Sequence, residues 1–321
     1  MQRNMTRDIL QFMFKLILVF ILLYITDKGL GSILRYYYFT QESGADYRTT
    51  YALEKTVADI IIFGSSRAIH HYMPQIFESE LYLSCYNAGR DDNFILYHTA
   101  ILSGILKRYK PRIIILDLNP DDFIRQPRGY YYVRSLLPYY KTHDEVRPTI
   151  ELIGRFEKIK LLSDIYPFNS KVLTIVTGNM KFGKKRHDDS NGYVPLYGSN
   201  IGNEDSFHKK TDDVEHIDAN KINAYELFIS KGVSCGARVY VIVSPYYGST
   251  YPYRLTIPMA KMIASKYNVR FLDYSENRDF RNHSNYYYDS RHLNCEGSEL
   301  FSLDVVKRLK NDFHPTMNFG D

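Results

Sequence analysis

Tryptophan is absent from this sequence, and cysteine nearly so, with Cys85, Cys235 and Cys295 as its three thiols. They show no C-x-x-C spacing and cannot all pair with one another, which excludes a structural zinc site and a disulfide scaffold, although one disulfide stays open. Cys295 stands three residues after His292, yet nothing beside it marks it as a nucleophile. Charge of one sign is also scarce: 41 basic against 36 acidic residues leave a net charge of +5. The one compact basic run, Lys184-Lys185-Arg186, is followed by His187-Asp188-Asp189 and reads as a solvated loop. With no nucleic-acid motif beside it, nucleic acid is not an expected partner. No G-x-G-x-x-G or Walker pattern follows any predicted strand, which argues against a nucleotide-binding domain. No repeat of fixed period is present, and no cofactor or metal is implied.

What is present is a 45% hydrophobic chain of 321 residues, enough to bury a substantial core. Its aromatic content is 30 Tyr and 18 Phe, with Tyr triplets at 36–38, 130–132 and 286–288. Tyrosine packs an apolar ring and keeps a wet hydroxyl, which suits carbohydrate-like ligands, while packing in strands and interfaces is its commoner role.

The amino terminus carries the longest apolar run, Ile9 to Ile25 (ILQFMFKLILVFILLYI), with Lys15 as its single charge. At about 1.5 Å per residue it is just long enough for a bilayer core of roughly 30 Å, and Lys15 is close enough to the start to snorkel. A signal anchor over residues 1–28 is expected. The alternatives are a buried helix and a cleaved signal peptide, for which Gly29-Leu30-Gly31 offers an imperfect small-x-small site. Arg3, Arg7 and Lys15 favour a cytoplasmic amino terminus, with the rest of the chain on the other side.

Residues 29–55 show no clear period and read as a connecting stalk, with the globular domain at 56–321. Short β-branched runs predict strands at DIIIF (59–63), YLSCYN (82–87), RIIILDL (112–118), ARVYVIVS (237–244) and VRFLD (269–273). Between them, helices are expected over Arg67–Glu80, ended or kinked at Pro74, then Asn93–Arg108, Ala219–Lys231, Ile257–Lys266 and Glu296–Lys310. Alternating strands and helices imply a parallel sheet covered on both faces. Residues 121–217 interrupt the alternation with proline-rich stretches and a helical segment near 149–165, and read as an insertion that caps the substrate side.

In open α/β sheets, ligand chemistry gathers beyond the carboxyl ends of the strands. There the chain has Gly64-Ser65-Ser66 after the first strand, Asn87-Ala88-Gly89 after the second and Asp117-Leu118-Asn119 at the third. Asp289 and His292 follow the last strand. These form a complete set for acyl transfer: a serine hydroxyl, a histidine base oriented by a carboxylate, and donors at the serine turn, Gly89 and Asn119 for an oxyanion. Two other Asp-x-x-His pairs, Asp205/His208 and Asp213/His216, lie in the polar insertion with no strand before them. His70 and His71 are expected to face solvent or the cap. Arg67 and Arg90 are expected in surface salt bridges, with anion binding as the alternative.

The order Gly-x-Ser, Gly, Asn and Asp-x-x-His resembles the SGNH (GDSL-type) hydrolase superfamily over roughly residues 56 to 312. That resemblance implies an α/β fold, a three-layer α/β/α flavodoxin-like domain. It makes Ser66 the nucleophile, His292 the base and Asp289 its partner, and gives the oxyanion roles to Gly89 and Asn119. Ser65 stands where the family usually has aspartate, and Asp-Leu-Asn-Pro replaces the frequent Gly-x-Asn-Asp. Both departures resemble the membrane-anchored branch associated with acyl modification of bacterial cell-envelope polysaccharides. The expectation is therefore a serine esterase or O-acyltransferase acting on acyl, foremost acetyl, esters of envelope or exported glycans. It would be a single-pass protein of the bacterial inner (cytoplasmic) membrane, with its domain on the extracytoplasmic side and a membrane acyltransferase as a candidate partner. The rival expectation is a non-catalytic protein that binds a glycan or a partner on the same fold.

Overall fold

The computed structural model describes residues 2–180, 191–201, 215–248 and 255–313. Two helices, α1 (Gln2–Phe39) and α2 (Gly44–Glu54), precede an alternating run: β1 (Ile60–Phe63), α3 (Ser66–His71), α4 (Pro74–Leu81), β2 (Cys85–Asn87), α5 (Ile95–Arg108) and β3 (Ile113–Asp117). Four short helices follow, α6 (Pro127–Tyr132), α7 (Arg147–Glu151), α8 (Glu157–Lys160) and α9 (Val172–Asn179). Alternation then resumes with α10 (Ala219–Ser234), β4 (Arg238–Val243), α11 (Thr256–Lys266), β5 (Arg270–Asp273), α12 (Arg278–Arg281) and α13 (Cys295–Phe313).

The strands form one parallel sheet in the order β2-β1-β3-β4-β5, in register at pairs such as Ile61 with Ile114 and Leu116 with Val241. Runs such as Ile60-Ile61-Ile62-Phe63 are apolar on both sides because both faces are covered. Ile61, Phe63, Ile114 and Leu116 point into a core completed by Leu102 and Ile105 of α5 and Phe228 and Ile229 of α10. Ile60, Ile62, Ile113 and Ile115 point the other way, to Phe77 and Leu81 of α4 and Phe301, Val305 and Leu309 of α13. The result is an α/β fold of three layers. Chain order reverses between β1 and β3, and that reversal opens a crevice beyond the carboxyl ends of the two strands.

Pro74 sits in the first turn of α4, where its missing N–H costs nothing, and the break falls at Tyr72-Met73. Residues 29–55 differ from the stalk expected of them. α1 runs on to Phe39, Tyr38 is buried against the rings of Tyr139 and Phe168, and α2 buries Ala52 and Leu53. Its Asp46 is almost fully enclosed and pairs with Arg90 and Lys171, both at 2.8 Å. Arg90 is thus an internal tie between α2 and the turn after β2, a correction to the surface role expected of it.

The ends of the insertion meet in an antiparallel bridge between Ile124 and Ile217. Most of its described part packs beside α1, α2 and α5, through Leu136, Val146, Ile150, Leu161 and Phe168. Among its described residues, 191–201 run beside the crevice. The tyrosines serve mainly as packing: Tyr72, Tyr97, Tyr139, Tyr225, Tyr274 and Tyr287 are fully buried.

Candidate active site

β1 ends in a turn that only glycine can make. Gly64 has φ +149°, and a Cβ there would fall 2.7 Å from Ala68 Cβ and 2.9 Å from Asp117 Cβ. The chain then enters α3, so Ser66 stands, half-buried, at its first turn.

Ser66 Oγ lies 2.8 Å from His292 Nε2 across 226 positions of sequence. His292 is carried on the loop between a 3-10 turn (Ser284–Tyr286) and α13. Its Nδ1 donates to Asp289, 2.8 Å from Oδ2 and 3.0 Å from Oδ1. Asp289 Oδ1 also accepts the backbone N–H groups of Arg291 and His292, each at 2.8 Å, so the Asp-x-x-His spacing closes a self-capped loop. Burial pushes the Asp289 carboxyl up, but the bond and charge of His292 and the two N–H groups more than offset it and hold it below the usual carboxylate range. With Nδ1–H committed to a carboxylate, Nε2 is left to accept the Ser66 proton.

His71 and Arg67 hold this arrangement from beneath. His71 is fully buried, a correction to the solvent-facing position expected of it. Its Nε2 accepts the N–H of Leu293 at 3.0 Å, which leaves Nδ1–H to donate to Ser244 Oγ at 3.0 Å. Burial, then the charges of Arg67, His292 and His70, keep His71 far below the ordinary imidazole range, so it stays neutral as this bonding requires. Arg67 is likewise internal, correcting the surface role expected of it. It donates to Asp117 Oδ1 (3.0 Å), Leu118 O (2.8 Å) and Ser244 O (3.2 Å), and its guanidinium lies 4.5 Å from the Tyr246 ring centroid. One side chain of α3 thereby ties together the ends of β3 and β4. Burial pushes Asp117 up despite the Arg67 charge beside it.

His70 donates from Nδ1 to Val194 O at 2.6 Å, and its ring stands edge-on to His292 at 5.5 Å between centroids. Through Val194, and through Asn200 and Leu196, which bond Tyr288 O and Cys295 N respectively, residues 191–201 wall one side of the crevice.

Asn119 reaches the serine turn, its Nδ2 donating to Ser65 Oγ at 3.3 Å. It is fixed by Asp122, whose carboxylate accepts the N–H of Asn119 at 2.8 Å and that of Ile95 at 2.9 Å. Burial, helped by the charge of Asp121, pushes Asp122 up to about 7. Gly89 packs on α3, where a Cβ would meet Ala68 Cβ at 3.0 Å and Ile69 Cγ1 at 3.1 Å. Its N–H donates to Asn87 Oδ1 at 3.1 Å, so this expected oxyanion donor is engaged within its own turn.

Sequence reasoning missed His71, Asp122 and the wall at 191–201. Arg67 directly follows Ser66 and His71 closes the same short helix, which was the available signal. Asp205, His208 and Asp213, like the basic run Lys184–Arg186, lie outside the described residues; His216 accepts a backbone bond from Arg125 at the base of the insertion. Among the described residues no cluster of His, Cys, Asp or Glu fits a metal ion. No family model matches the chain, and no curated protein is similar to it.

Proposed function

We infer that the protein is a serine esterase or O-acyltransferase of the SGNH (GDSL-type) kind, held to a membrane by α1, with its domain on the extracytoplasmic side of a bacterial inner membrane. The observation that carries this reading is the unbroken chain of bonds from Ser66 through His292 to Asp289. Ser66 Oγ attacks an ester carbonyl as its proton passes to His292 Nε2. The imidazolium, steadied by Asp289, then gives that proton to the departing alkoxide, leaving an acyl group on Ser66. Water or a sugar hydroxyl repeats the sequence in reverse and frees the serine. The Ser66 N–H and the Asn119 amide are the readiest donors for the oxyanion. Acyl esters of envelope glycans, foremost acetyl, are the substrates this reading favours, with a membrane acyltransferase as donor partner.

The anchor role is supported by the exposure of α1: Met5–Phe39 meets the length and hydropathy of a span, and none of its most apolar window is buried. Retention over cleavage is supported by Asp27 and Lys28, which lie just past the apolar run and bond residues 163–165.

The test is labelling of the full chain by a fluorophosphonate, with aryl acetate turnover in parallel. Wild type takes up label and turns over; Ser66→Ala does neither. Unchanged turnover in Ser66→Ala removes the enzyme reading. A folded wild type that takes up no label favours a non-catalytic glycan- or partner-binding protein, the reading with which the engaged Gly89 N–H agrees.

A further inference from the structure

Apolar side chains left in the open need a partner when they share one face. Phe156, Ile159 and Leu162, spaced three apart around α8, are 50%, 63% and 74% exposed, while Glu157 and Leu161 between them are buried. Their position follows from the joint between α1 and residues 163–165. Asp27 accepts the Ser163 hydroxyl and the N–H groups of Asp164 (2.8 Å) and Ile165 (3.2 Å). Lys28 pairs with Asp164 at 2.9 Å, and Gly31 leaves no room between α1 and Asp164 for a side chain.

The height of that joint can be read from the helix. From Ile9 to Thr26 the only charge is Lys15. At about 1.5 Å per residue this stretch spans roughly 27 Å, nearly the full hydrocarbon core, so the headgroup boundary falls at Asp27 and Lys28. Leu162 directly precedes the residues bonded there. Basic side chains border the patch, as they do on surfaces that lie in a headgroup layer: the Arg155 guanidinium covers the Phe156 ring at 4.4 Å. Lys158 and Lys160 flank Ile159, paired with Glu151 at 3.0 Å and Glu157 at 2.6 Å.

We propose that Phe156, Ile159 and Leu162 insert into the interfacial layer of the same bilayer that α1 crosses, giving the domain a second membrane contact. This rests on α1 being a span. Its continuity with that span, at the level where the span ends, selects lipid as the occupant rather than a protein partner.

Because the chain has no tryptophan, a single introduced indole reports one position. Full-length Leu162→Trp and Ile159→Trp are placed in lipid nanodiscs containing phosphatidylcholine brominated near the headgroup end of its acyl chains, with acrylamide as the aqueous quencher. Leu22→Trp on α1 and Leu300→Trp on α13, both exposed positions, serve as references. The expected result is blue-shifted emission at 162 and 159, quenched severalfold more by brominated lipid than at 300 and protected from acrylamide. Emission at both that matches position 300, with the Leu22→Trp indole quenched by lipid, overturns the proposal and leaves the span intact. Protection from both quenchers overturns it too, since protein then covers the patch. A Leu22→Trp indole untouched by brominated lipid removes the span, and this proposal with it.

Discussion

Replacing Arg67 by methionine keeps most of the side chain's bulk and removes its charge, leaving Asp117 as a buried carboxylate. The side chains of the pair are 3% and 1% exposed, so solvent cannot take over from the lost partner. Breaking a buried ion pair from one side costs about 3–5 kcal/mol. A second route caps the magnitude. Asp117 can escape by taking up a proton, which from an ordinary pKa of about 3.9 costs about 1.36 kcal/mol per unit, at most roughly 4 kcal/mol at pH 7 and less by whatever burial has already raised it beside Arg67. The sign with pH follows. Losing Arg67 raises the folded-state pKa of Asp117 further above its unfolded value, so the folded form gains in relative terms as acid supplies the proton. The deficit of Arg67→Met should therefore be largest at neutral pH and shrink by up to about 1.4 kcal/mol per unit toward pH 4. The assay is urea unfolding of the full chain in detergent, followed by tyrosine emission at pH 5 and pH 7, with Arg67→Met/Asp117→Leu as the paired control. That double variant, which leaves no buried charge, should recover a large part of the loss. A deficit below about 1 kcal/mol at pH 7, or one that grows toward acid, would refute the description of Arg67 as the internal tie of the site.

Asp289→Asn frees His292 Nδ1 to lose its proton and take the wrong tautomer; turnover of an aryl acetate should fall about 10³–10⁴-fold with the fold intact by circular dichroism. A loss under tenfold would deny Asp289 its orienting role. Gly89→Ala pushes a methyl into contacts of 3.0–3.1 Å on α3, so a cost of about 1–3 kcal/mol in unfolding and slower fluorophosphonate labelling are expected together. His98 is buried, with burial holding it down to about 3. The unfolded chain binds its proton well before the folded one, so stability present near neutrality is lost as pH falls below about 6.5, by up to about 1.4 kcal/mol per unit. His98→Phe should flatten the acid limb of the stability curve by that slope, and an unchanged limb would contradict the burial argument.

Strands covered on both faces write their burial into local composition, which is why Ile60-Ile61-Ile62-Phe63 and Ile113-Ile114-Ile115-Leu116 were legible as they stand. Asp289 and His292 were legible because they follow the last strand, whereas Asp205/His208 and Asp213/His216 share their three-residue spacing with no strand before them. The stalk reading failed for a physical reason: α2 buries Asp46, Thr49 and Thr50, which bond Arg90, Tyr97 and Tyr139. Polar residues satisfied by distant partners look like solvent-facing ones to a hydropathy pattern. The same limit hid Arg67 and His71, whose partners Asp117 and Leu293 lie 50 and 222 positions away. No periodicity carries that information.

α1 has no break between its apolar run and Phe39 and is clamped to the domain at Asp27, Lys28 and Tyr38. A mounting of this kind acts as a mast rather than a leash. In the anchored reading the catalytic serine cannot sweep a volume above the lipid, as a head on a flexible tether would. On the proposed function it would work in one thin slab at fixed elevation, and a polymeric substrate would have to be threaded past it or delivered to that height.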